Sequence, residues 1–88
     1  MLATNPAPMR PADREQAWYF NKVLGGRRAE LEERLHALHM QAMELTRIGN
    51  QTAVRNKRRI IRVLESEAHM IDRMLKALAN RLGPDIQP

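Results

Sequence analysis

The sequence predicts an all-α protein built as a long antiparallel two-helix coiled-coil hairpin, and three observations carry that expectation. Apolar residues recur at alternating spacings of three and four along two long stretches. The strongest interruption between the stretches is a short polar turn around Gly49 and Asn50. The inventory for a core is aliphatic, since 43% of the 88 residues are hydrophobic but only 3% are aromatic, which suits helix packing on helix.

Each element follows in chain order. Pro6, Pro8 and Pro11 stand among small residues, so residues 1–12 read as a flexible Pro-rich arm. Asp13 followed by Gln16 resembles a capping box and starts a helix expected over residues 13–48. Within it Leu24, Leu31, Leu35, Leu38, Ala42 and Leu45 form a seam in which Arg28 is the misfit. Gly25-Gly26 weakens this helix by roughly 2 kcal/mol relative to alanines. The pair predicts a kink, a close helix crossing, or a break that frees residues 13–24. Continuity is the preferred reading, because so short a separate helix is marginal in water.

Gly49 to Thr52 forms the expected turn, with Gly49 suited to a left-handed C-terminal cap and Asn50 or Thr52 to capping the next helix. The second helix is expected over residues 52–82, and Ile61, Leu64, Ala68, Ile71, Leu75, Leu78 and Leu82 form its seam without a misfit. Arg81, Gly83 and Pro84 make a helix stop, leaving residues 83–88 as a frayed tail. Residues 13–82 are thus one helical hairpin, since helices of near-equal length joined by a tight turn pair antiparallel.

Two features point to binding. Beside its seam the second helix carries another apolar row, Ile60, Val63, Met70, Met74 and Ala77, interrupted by Glu67. An apolar face this wide exceeds what one partner helix covers, so the row is expected to be an association face, giving a homodimer, a helical bundle or a hetero-complex, unless the segment around Trp18, Phe20 and Val23 covers it. The second feature is a basic tip: Arg47, Arg55, Lys57, Arg58, Arg59 and Arg62, with no acid between Leu45 and Leu64. Cations in the first turns of a helix oppose its macrodipole, an arrangement that stability alone does not favour. With a net charge of +5, the tip is expected to meet an acidic protein surface or, alternatively, the phosphate backbone of nucleic acid. No recognition helix pair or zinc ligand set accompanies it, so sequence-specific DNA reading is not expected.

Other chemistry finds little support. There is no cysteine, so disulfides, thiolate zinc sites and cysteine nucleophiles are excluded. His36 and His39, with Glu32 a turn before, lack a third ligand because His69 is expected opposite Leu31. Met40 with Met43, and Met70 with Met74, read as core filling more than as adaptable binding patches. No nucleophile elbow, glycine-rich phosphate loop or paired carboxylates is present, so no catalytic residue, cofactor or metal ligand is assigned and a non-enzymatic protein is expected. Neither a membrane span nor a signal peptide is evident, and a cytoplasmic setting is expected.

Two stretches carry a resemblance to a known family. Tyr19-Phe20-Asn21-Lys22-Val23-Leu24, continuing to Arg28 and Leu31-Glu32-Glu33, and Met70-Ile71-Asp72-Arg73-Met74-Leu75-Lys76-Ala77-Leu78 resemble the two coiled-coil arms of DksA/TraR-type factors, which bind bacterial RNA polymerase through its secondary channel. The matching stretches cover under half of the chain. The zinc-finger cysteines of that family are absent, and Gly49-Asn50-Gln51-Thr52 beside basic residues stands where the family has an acidic tip. The resemblance implies a hairpin that docks on a larger machine, with an effect at its tip different from that of the family.

Overall fold

The structure, a computed structural model, describes residues 11–82. Two long helices, α1 (Pro11–Arg47) and α2 (Gln51–Leu82), run antiparallel and pack along their length, so the expected all-α helical hairpin is the observed fold. The molecule is a rod of 63 × 28 × 16 Å. The expected arm at residues 1–10 and tail at 83–88 lie outside the described residues. Pro11 and Ala12, expected in the arm, instead open α1. Proline is tolerated in the first helical turn because its missing N–H would have no intrahelical acceptor there. Asp13 sits in that first turn, where a carboxylate complements the positive end of the helix dipole.

The turn is one residue tighter than expected. Gly49 adopts φ 81° and its N–H donates to the Thr46 carbonyl at 3.1 Å, while Asn50 N–H donates to the Leu45 carbonyl at 2.9 Å. This crossed pair is a Schellman closure, and it satisfies two carbonyls that the helix end would otherwise leave bare. Asn50 then caps α2. Its side-chain carbonyl accepts from Ala53 N–H at 3.1 Å and its backbone carbonyl accepts from Val54 N–H, also at 3.1 Å. With Asn50 in that role, Gln51 and Thr52 belong to α2 rather than to the turn, and Ile48 belongs to the turn rather than to α1.

The core is a single seam. Leu31, Leu64, Ala68 and Ile71 form its centre, with Leu24, Leu35, Leu38 and Leu75 packed around them. The predicted Ala42 and Leu82 are buried with it, and it reaches beyond the residues predicted to Ala17 at the open end and to Val54 near the turn. Val54 escapes the sequence reading because Lys57, the next seam position, breaks the apolar row before Ile61. Arg28, the misfit in α1, lies half-buried at its seam position and extends its guanidinium to the rim, where Nε donates to Asp72 at 2.8 Å.

α1 runs unbroken through Gly25 and Gly26. A Cβ added to either glycine would have no atom within 4 Å, so neither is held small by a close helix crossing. No described helix is long and apolar enough to cross a membrane.

Candidate binding surfaces of the second helix

Because α2 gives its seam positions to α1, its remaining residues divide into two flanks and an outer ridge, set by 3.6 residues per turn. On one flank lie Ile60, Val63, Met70, Met74 and Ala77, and all five are exposed; Val63 shows 63% of its surface and Met70 52%. The segment around Trp18, Phe20 and Val23 does not cover them. Phe20 and Val23 are themselves about half exposed, and Phe20 borders the same hollow as Leu78 and Arg81. The apolar flank therefore gains two members from α1 that the sequence reading had set aside as a cover. Glu67, which interrupts the row, receives Arg27 in a two-pronged contact, Nε to Oε2 at 2.8 Å and Nη2 to Oε1 at 3.2 Å. This hydrogen-bonded pairing holds the Glu67 carboxyl below its ordinary value against an opposing desolvation, with the charges of Arg27 and Arg34 adding to the effect.

The six predicted tip cations separate into three groups. Arg47 is bound by Glu44 one turn before it, through both its Nε and Nη2. Lys57 occupies a seam position and is half-buried. Arg55, Arg58, Arg59 and Arg62 are exposed and form no ion pair among the described residues. Arg58 and Arg62 border a shallow groove with His39, Met43 and Thr46, closed below by Ala42 and Ile61.

The ridge extends past the tip. Counting in steps of four and three from Arg55 gives Arg59, Arg62, Ser66, His69, Arg73 and Lys76, one line on the outer side of α2 about 32 Å long at 1.5 Å per residue. His69, Arg73 and Lys76 do not stand out in the sequence, because they form no contiguous run and the helical period spreads them. The charge is also divided by helix. α1 carries six cations and six carboxylates, α2 eight cations and three carboxylates, so the whole excess of +5 falls on α2. Its first turn holds no acid.

The histidines stay apart from any ligand set. His39 Nε2 stands 4.0 Å from Glu65 and His36 lines a shallow hollow with Glu32 and Glu33. Among the described residues no group of three or more His, Asp or Glu side chains is placed to hold a metal ion. No known protein family, curated protein or solved structure matches this chain.

Proposed function

We propose that this chain is a non-enzymatic helical-hairpin adaptor or regulator that acts in the cytoplasm by docking on the acidic surface of a protein partner. The observation that carries this reading is the segregation of charge. The entire excess is on α2, whose first turn holds no acid, and four arginines without partners among the described residues stand exposed over the turns that follow. Arginine presents five donors in a rigid fork matched to carboxylates, so a cluster of four is a recognition element for them. The resemblance of the arms to DksA/TraR-type factors makes the transcription machinery the first partner class to test.

A second reading is favoured by one further observation. The row continues through His69, Arg73 and Lys76 over about 32 Å, close to the length of one turn of duplex DNA. A straight cationic line of that length also suits the phosphate backbone of nucleic acid, bound without regard to sequence.

The two readings separate in one titration. The chain and its Arg58→Glu, Arg59→Glu variant are mixed with bacterial RNA polymerase and, separately, with mixed-sequence duplex DNA at low and moderate salt. The adaptor reading expects binding to the polymerase, at least tenfold weakened by the double reversal, and little retention of DNA at moderate salt. Tight DNA binding with a steep salt slope that the reversal flattens supports the second reading. Unchanged binding of both targets by the variant removes the ridge from either role.

A further inference from the structure

We infer that the apolar flank is covered by a second copy of this chain, the two hairpins packing face to face with their long axes parallel and their basic tips at the same end. The inference uses a different surface from the basic ridge, so it stands or falls independently of the partner proposed above.

The hairpin by itself is thinly cored. Among the described residues Leu31 is the one side chain completely removed from solvent, while large apolar side chains remain exposed along the flank. A rod of two helices buries a small share of its surface, and association is one way such a core is completed. A stable interface takes about 800 Å² from each partner, roughly a ninth of the 7065 Å² that the chain exposes, and one long side of such a rod supplies it.

The flank is complementary to itself in this arrangement. The register of the hairpin, marked by Arg27 on Glu67 and Arg28 on Asp72, brings Phe20 and Val23 level with the stretch from Met74 to Leu78. Stacking two copies with parallel axes sets Phe20 and Val23 of each against Met74 and Ala77 of the other. Midway along, Arg27 and Arg34 of each come level with Glu67 of the other, and with Glu30, which Arg27 also binds, the charged interruption becomes a set balanced between two cations and two carboxylates per copy. Nearer the tip, Ala37 falls beside Ile60 and Val63. This orientation places the electrically neutral α1 of each copy on the +5 α2 of the other. The opposite orientation runs α2 along α2 and sets Phe20 against the polar Gln41 and Glu44 of its neighbour. The product is a four-helix bundle with every neighbouring pair antiparallel and both basic ridges outside.

The absence of native cysteine makes thiol placement a clean test. Single variants Met74→Cys and Phe20→Cys put a thiol on the flank, and Ala29→Cys puts one on the opposite side of the hairpin. With a short bismaleimide, the first two are expected to give a covalent dimer in high yield and the third to stay monomeric. Light scattering on the unmodified chain is expected to give twice the 10.2 kDa chain mass, and Met70→Glu to give the single mass while far-ultraviolet circular dichroism remains helical. In the opposite orientation the position-74 thiols stand about 20 Å apart. Failure of Met74→Cys to cross-link in a chain of dimer mass therefore overturns the arrangement. A single chain mass at high concentration, or cross-linking by Ala29→Cys but not by the flank variants, overturns the dimer on this face.

Discussion

Single residues in this hairpin are governed by what the seam leaves free. Gly25 and Gly26 are helical, have no close neighbour and show no positive φ, so nothing in the structure requires a glycine there. Each replacement by alanine is expected to add about 1 kcal/mol by removing backbone freedom from the unfolded chain. The double variant should melt several degrees higher, read by circular dichroism. Asn50 is different, since its side chain satisfies an N–H at the head of α2. Asn50→Ala is expected to lose about 1 kcal/mol in a urea titration. Glu67 sets a pH dependence. Its folded carboxyl titrates below the ordinary glutamate value because Arg27 hydrogen-bonds the charged form. The stability it contributes is therefore complete above that ordinary value and is lost as the pH falls through the lowered one. Glu67→Gln is expected to lower stability at neutral and alkaline pH by that contribution and to flatten the acid limb of the profile, which melting curves across pH would show.

At the scale of an element, α1 and α2 are not equivalent. α2 has a clean apolar seam and a cationic outer ridge, whereas α1 has balanced charge, a seam broken by Arg28 and two interior glycines. Much of the stability of α1 therefore comes from its packing on α2, concentrated around Leu31, which is wholly out of solvent. Leu31→Ala is expected to cost 2–5 kcal/mol, and denaturant melts should show both helices lost together. The ridge is also a property of the element. If its whole length engages a partner, Arg73→Glu with Lys76→Glu should weaken binding as Arg58→Glu with Arg59→Glu does. Loss confined to the tip variants would assign recognition to the first turns of α2 alone.

For the whole molecule, the decisive fact is that a two-helix rod has more apolar surface than one seam can bury. The seam takes the apolar line of α2 from Val54 to Leu82, and the flank holds Ile60, Val63, Met70, Met74 and Ala77 in view of solvent. An assembly that covers the flank adds stability by mass action, so the melting temperature of the unmodified chain should rise with its concentration and that of Met70→Glu should not. The inferred dimer would also bear on recognition, because two tips at one end of a bundle would present eight exposed arginines in place of four. Binding through paired tips gains avidity when both can engage, so Met70→Glu is expected to weaken partner binding even though position 70 lies outside the ridge.

Much of this was legible in the sequence because it depends on local rules. Heptad spacing placed the seam from Leu24 to Leu45 and from Ile61 to Leu82; glycine at position 49 placed the turn; composition placed the net charge. Local chemistry alone did not decide matters that turn on what stands opposite a residue. Pro11 and Ala12 entered α1 because proline is tolerated in a first helical turn, and Asn50 prevailed over Thr52 as the cap because the Schellman closure delivers it to that position. Lys57 and Arg28 hid the true extent of the seam, since a cation at a seam position reads as a break until its stem is seen to lie along the partner helix. The exposure of the flank, the pairing of Glu67 with Arg27, the withdrawal of Arg47 by Glu44 and the reach of the basic ridge were decided only by the tertiary structure. The physical reason is that periodicity determines which residues share a face of a helix, but only packing determines which face is left for a partner.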